Sequence, residues 1–267
     1  MFGAIIGDMA GSVFEFNPWR GDWRGIPLLA PGSGFTDDTV LTIAVAEALM
    51  KGGKTDAEIR DGMRDSILAL ARQYPRSGYG GRFAKWLREG GGGPYNSFGN
   101  GSAMRVSPAG WAASSLEEAE RLARLSAEPT HNHPEGVKGA CAVAGAIFLA
   151  RQGEGKDSIR AYAGGRWGYD LGRSLEEIKP VCEFDETCQV SVPEALTVFL
   201  ESDDFEETIR KAIWLGADAD TQAAIAGSIA EAFYGGVPEG LKAQALPLLD
   251  ERLRKAVAAW ENWLAAK

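Results

Sequence analysis

The spacing of apolar residues along this chain is helical almost throughout. Apolar positions recur at threes and fours over Val40–Met50, Asp56–Arg72, Leu116–Leu125, Val137–Ala150, Glu194–Leu200 and Phe205–Leu215, and each stretch reads as a helix rich in Ala and Leu. Asp220–Tyr234 is a further helix whose Ala223, Ala224, Ala226, Gly227 and Ala230 would let a neighbouring helix come close. Leu246–Leu264 places Leu249, Leu253, Val257, Trp260 and Leu264 on one buried stripe. Alternation of the strand type is nearly absent. Gln189–Val192 is the one short candidate, closed by Pro193. Helices joined by short Gly, Pro and Ser loops imply a compact all-α fold, and no linker divides residues 1–267, so a single domain is expected. The Gly90–Gly93 run is a loop, and no internal repeat is visible.

Composition narrows the classes. With 45% hydrophobic and 24% charged residues the chain is ordinary globular material. The first dozen residues are apolar but include Asp8 and lack a basic start, which argues against a secretion signal. No apolar run approaches the roughly 18 residues a membrane span requires. Cys141, Cys182 and Cys188 are an odd set without zinc-type spacing, which suits reduced thiols in the cytoplasm and disfavours a Cys182–Cys188 disulfide. A formal charge of −9 with no basic cluster disfavours nucleic acid as a partner. The same charge opposes any anionic small ligand unless bound cations invert the local sign.

Two carboxylate stretches stand where helices begin: Phe35-Thr36-Asp37-Asp38-Thr39 and Gly216-Ala217-Asp218-Ala219-Asp220-Thr221. Asp and Thr are ordinary helix caps there. A cap uses one oxygen, however, and each stretch crowds two aspartates with a threonine, an arrangement that resists ionisation unless a cation compensates it. The donors are all hard oxygens, which suit Mg²⁺ or Mn²⁺ rather than zinc, and two such stretches fit a metal pair roughly 3.5–4 Å apart. A third segment, Gly3 to Ser12 followed by Glu15, reads as a small-residue helix packed in the core with Asp8 hydrogen-bonded inside. A fourth, Ser97-Phe98-Gly99-Asn100-Gly101-Ser102-Ala103-Met104-Arg105, is either an ordinary turn or a loop whose glycines bring backbone amides to an anion. A fifth, Thr130-His131-Asn132-His133-Pro134, contains both histidines of the chain; on spacing alone His131 is equally a ligand contact or a neighbour of a helix cap.

In this order the five segments resemble the ADP-ribosylglycohydrolase family, to which the dinitrogenase-reductase-activating glycohydrolases belong, and the resemblance covers nearly the whole chain. It implies an all-helical fold with a di-metal centre of two Mg²⁺ or Mn²⁺ ions, for which Thr36, Asp37, Asp38, Asp218, Asp220 and Thr221 match the ligands. Glu15 matches a mobile glutamate near the site. Ser97, Phe98, Gly99, Asn100, Gly101 and Ser102 match the loop that cradles phosphates and the distal ribose, and His131 a ligand-contacting position. Asp38 and Glu15 are the candidates for the carboxylate that takes a proton from water. Two positions depart from the family: Ala219 stands where threonine is common and Ala217 where glycine is. The implied activity is hydrolysis of the glycosidic bond between ADP-ribose and an acceptor, arginine foremost, on an ADP-ribosylated protein or a small ADP-ribose derivative. The alternative is a catalytically silent ADP-ribose-binding or immunity-type protein of the same fold. Tyr79, Arg82 and Trp86, beside the glycine-rich stretches, are candidate rim residues.

Overall fold

The computed structural model describes residues 1–267 and is helical, with no sheet; one antiparallel bridge, Gly99 to Thr187, is its only extended pairing. The chain opens with α1 (Phe2–Gly11), then α2 (Asp37–Lys51), α3 (Asp56–Ala71), α4 (Gly81–Arg88), and the short α5 (Gly101–Met104) and α6 (Ser107–Ala112). There follow α7 (Leu116–Ala127), α8 (Pro134–Arg151), α9 (Lys156–Trp167), α10 (Leu175–Ile178), α11 (Cys188–Leu200) and α12 (Phe205–Leu215). The last are α13 (Ala219–Phe233), α14 (Glu239–Ala245) and α15 (Glu251–Ala265).

The core is one cluster of 72 buried residues drawn from α1 through α15. Its axis is α13, whose residues from Ala219 to Ala232 are all buried. That burial is possible because α13 and α1 are faced with small residues. Gly3, Gly7 and Gly11 lie four apart on α1, and a Cβ at Gly7 would stand 2.1 Å from the carbonyl oxygen of Ala223. A Cβ at Gly11 would stand 2.3 Å from Cα of Asp220. The two backbones therefore touch, and the aspartate of α13 is held at a fixed distance from the end of α1. None of the helices is long and apolar enough to cross a membrane. All three cysteines are unpaired, Cys141 and Cys188 buried and Cys182 partly so.

The periodic stretches are helices at the expected places, with α4, α5, α6, α9, α10 and α14 in addition. Two expectations need correction. Gln189–Val192 is not a strand but the first turns of α11. Cys188, Ser191, Val192, Ala195, Leu196 and Phe199 are all buried on one helical face, and this longer stripe outweighs a four-residue alternation. Leu246–Leu264 is not one helix: a 3₁₀ turn at Leu246–Leu248 contains Pro247, and α15 starts afresh where Asp250 accepts the Leu253 amide at 2.9 Å.

Candidate metal centre and ligand cavity

The first carboxylate stretch begins α2. Thr36 is the N-cap residue, and Asp37 and Asp38 form the first turn. Asp8, reaching across from α1, accepts the amides of Thr36 (2.9 Å) and Thr39 (3.0 Å) and the hydroxyls of both, that of Thr36 at 2.7 Å. A fully buried carboxylate thus clamps the end of α2 with four donors, and the cap geometry itself consumes neither Asp37 nor Asp38. The Asp37 amide donates to Ser77 O (2.6 Å), which ties the loop before α4 to the same place.

The second stretch begins α13 differently. Gly216 and Ala217 both have positive φ, +89° and +56°, and they turn the chain sharply into Asp218. Asp218 makes no side-chain cap bond; its Oδ2 instead accepts Asn100 Nδ2 from the glycine loop at 2.7 Å. Thr221 Oγ1 donates to Asp38 Oδ2 at 3.2 Å, so the two stretches, far apart in sequence, meet directly. Capping does not account for this arrangement, because Asp37, Asp38 and Asp218 all keep oxygens that cap nothing.

Two carboxylate groups result. Oxygens of Asp8, Asp38 and Asp220 lie within 4.8 Å of one another, and so do oxygens of Glu15, Asp218 and Asp220. Asp220 belongs to both. Asp38 Oδ1 is buried with no hydrogen-bond partner. Burial, ahead of mutual repulsion, pushes the carboxyls of Asp38 and Asp220 well above the usual carboxylate range, Asp37 to about 8 and Glu15 to about 7. Asp8 and Asp218 are raised for the same first reason. Six acidic groups crowded like this need protons or cations, and a set made only of oxygens suits Mg²⁺ or Mn²⁺. The residues present fit such a pair.

These residues line one side of a cavity of about 370 Å³, large enough for a small organic ligand. Glu15, Thr36, Asp37, Asp38, Asp218, Asp220 and Thr221 line it together with Ser97, Phe98, Gly99, Asn100, Gly101 and His131. Ser102 does not: it is fully buried and donates to the carbonyl of Gly136 at 2.7 Å. In the glycine loop the Gly99 amide donates to Ser97 Oγ (3.2 Å) and the Asn100 amide to Glu186 O (2.7 Å), so both amides already have protein acceptors. What the glycines provide is room, since a Cβ on Gly101 would crowd His131 Nε2 at 3.3 Å.

His131 is tied to a buried cation through one hydroxyl. Arg105, fully buried, donates Nη2 to Thr130 Oγ1 at 2.8 Å, and Thr130 Oγ1 is hydrogen-bonded to His131 Nδ1 at 2.7 Å. His131 Nε2 faces the glycine loop, 3.3 Å from where a Cβ on Gly101 would stand. Burial, then the positive charges of Arg105 and Arg82, hold its pKa well below the ordinary histidine value, and it stays neutral. The Arg105 guanidinium is itself pushed down by burial to about 10 and remains a cation, with Nε and Nη1 lacking partners.

Sequence reasoning missed several contributors. Asp8 was read as an internal hydrogen-bonding group, and it is one, but it also belongs to a carboxylate trio. Gly78, Gly80, Gly81 and Arg82 bring the N-terminal end of α4 to the cavity, where first-turn amides have no partner within the helix. The glycine spacing is the available signal in the sequence. Arg82 is on that rim; Tyr79 packs on Phe83 with ring centroids 5.1 Å apart, and Trp86 is buried. Glu186 and Thr187 also line the cavity, and no local pattern marked them.

A helical domain that sinks two oxygen-only ligand groups into the wall of a ligand-sized cavity defines a class of small-molecule or group-transfer sites. The comparisons make it specific. The family model for ADP-ribosylglycohydrolase matches residues 1–266, and the chain belongs to that family. It is 28% identical to the human (Homo sapiens) protein ADP-ribosylhydrolase ARH3, covering 87% of this chain and 84% of that one. It is 27% identical to ADP-ribosylarginine hydrolase Tri1 of Pseudomonas putida (strain GB-1), covering 88% of this chain and 69% of that one. A solved structure described as an ADP-ribosylglycohydrolase-related protein complex superposes with a TM-score of 0.72 at 26% identity, over 98% of this chain and 95% of that one.

Proposed function

We propose that this chain is a divalent-metal-dependent hydrolase that cleaves the glycosidic bond between ADP-ribose and a modified acceptor, the arginine side chain foremost. The observation that carries the reading is the sharing of Asp220 between two buried carboxylate groups at the cavity wall. The name of the Tri1 relative supports arginine as the acceptor. Three unpaired cysteines suit work in the cytoplasm.

Thr36, Asp37, Asp38, Asp218, Asp220 and Thr221 would hold two Mg²⁺ or Mn²⁺ ions, with Asp8 and Glu15 close enough to contribute. Bound there, the ions would offset the charge of the diphosphate, orient the ribose hydroxyls and polarise a water. The protein's own groups do the rest. Among the other lining residues Arg82 and Arg105 supply positive charge and His131 a neutral polar ring for the diphosphate and ribose. Breaking the anomeric bond develops positive character on the ribose, which the surrounding carboxylates stabilise. Asp38 or Glu15 accepts a proton from the attacking water as its oxygen bonds to the anomeric carbon. The bonding electrons leave with the acceptor nitrogen, which departs as a neutral or protonated guanidine.

The test is release of free ADP-ribose from an arginine-modified protein in Mg²⁺ or Mn²⁺. Chelation should abolish it, and either ion restored should recover it. No turnover on arginine-, serine- or base-linked ADP-ribose in either ion would overturn the reading and favour a silent binding protein.

A further inference from the structure

The cavity lining carries two unlike sets of groups, and only one is explained by an anionic ligand. Arg82, Arg105 and His131 suit a diphosphate. Glu15, Asp218 and Glu186 line the same cavity, and the charges of Asp218 and Glu186 both help to raise the Glu15 carboxyl. Glu15 has a place among the grouped carboxylates, but Glu186 does not. Its side chain is exposed, lines the cavity, and has no ion pair or hydrogen bond. A lone carboxylate here repels ADP-ribose and contributes nothing to the fold.

Beside these two acids stands an exposed aromatic pair. Phe16 follows Glu15 directly and is 82% exposed; Phe184, two residues before Glu186, is 49% exposed. The rings stack on each other with centroids 6.3 Å apart and planes at 30°, bridging the loop after α1 and the loop before α11. Single exposed apolar side chains are unremarkable, but a stacked pair at the lip of a cavity is an uncovered contact surface. Phe98, also exposed, lines the cavity itself. The Glu186 backbone is anchored, its carbonyl accepting the Asn100 amide at 2.7 Å, so the carboxylate stands on a fixed base.

Resting on the hydrolase reading above, we propose that this lip docks a polypeptide carrying a cationic modified side chain. Glu186 receives the guanidinium of ADP-ribosylated arginine, and the Phe16–Phe184 pair supports the chain that flanks it. The chemistry is complementary: a guanidinium ribosylated on nitrogen keeps its positive charge, whereas a serine O-glycoside is neutral and has no use for a carboxylate at this position. A polypeptide has apolar flanks to cover the aromatic pair, and a free ADP-ribosylated amino acid does not.

The test compares matched substrates with the full chain in Mg²⁺. Wild type should release ADP-ribose from an arginine-linked protein with at least tenfold higher kcat/KM than from a serine-linked one. Glu186→Gln should reduce that preference about tenfold, and Glu186→Asp should restore part of it. The double variant Phe16→Ser with Phe184→Ser should raise KM for the arginine-linked protein about fivefold while leaving free ADP-ribosyl-arginine within about twofold. Serine linkages cut as well as arginine linkages by wild type would overturn this acceptor assignment and leave the hydrolase reading standing. Equal losses on both linkages in Glu186→Gln would overturn the role given to Glu186. Equal losses on free and protein-borne substrate in the double variant would overturn the docking role. Failure on every linkage would remove the hydrolase reading itself.

Discussion

The two carboxylate stretches look alike in sequence, yet they are built in opposite ways. Thr36-Asp37-Asp38 is a relaxed helix start, capped by its own threonine and clamped from outside by Asp8. Asp218-Ala219-Asp220 is reached through two left-handed residues and has no side-chain cap; its leading aspartate leans on Asn100 from a separate loop. One stretch is held by a core helix, the other by local strain and a loop. A metal pair would need both held rigidly, and the molecule does this through α1, which clamps the first with Asp8 and packs its glycines against the second.

The comparison can be broken most completely at the residue both groups share. Asp220→Ala should lower kcat/KM for ADP-ribose release by at least about a thousandfold and abolish one calorimetric metal-binding event. Persistence of the protein's effect on an ADP-ribosylation system in this variant would instead mark an interaction protein. Asp8→Asn strikes the clamp of the first stretch and one of the two carboxylate groups. It should weaken Mg²⁺ affinity by about ten- to a hundredfold, read by titration calorimetry, while the Glu15–Asp218–Asp220 group keeps its carboxylates.

Proton linkage gives a third test. The carboxyls of Glu15 and Asp37 are raised, to about 7 and about 8, so the metal-free folded state binds more protons than the unfolded state. Its stability should therefore rise as pH falls from about 8 through 7 toward the ordinary carboxylate range near 4, and fall as pH rises through the same window. Mg²⁺ should flatten the dependence, raising Tm more at pH 8 than at pH 5.5 in thermal melts. A metal-free Tm that climbs with pH over that interval would contradict the burial argument. The smallest effect concerns the strain in the second stretch. Ala217 sits at φ +56°, where a Cβ costs roughly 1 kcal/mol, so Ala217→Gly should raise stability by up to about that amount without lowering turnover.

Much of this was readable from the chain. The helical stripes were visible in the 3.6-residue period, and the metal-type oxygens were visible because Thr36-Asp37-Asp38 and Asp218-Ala219-Asp220-Thr221 each concentrate more acceptors than a helix cap can use. Where the sequence misled, the window was too short or the constraint was not local. Gln189–Val192 alternates over four residues, and only the packing of Cys188, Ser191, Val192 and Ala195 on one face makes it a helix. Ser102 sits in a motif with Gly101, yet one helical step turns it from the cavity to Gly136.

By itself, then, the order of residues determined the helices, the acidic stretches, and the excess of negative charge that demands a local remedy, because each depends on neighbours in the chain. Tertiary structure alone decided that Asp8 clamps one stretch, that Asp220 serves both groups, that Arg105 is linked to His131 through Thr130, and that Glu186 stands unpaired beside Phe16 and Phe184. These are relations between side chains brought within a few ångströms by packing, and an electrostatic or hydrogen-bonding role depends on that distance rather than on position along the sequence.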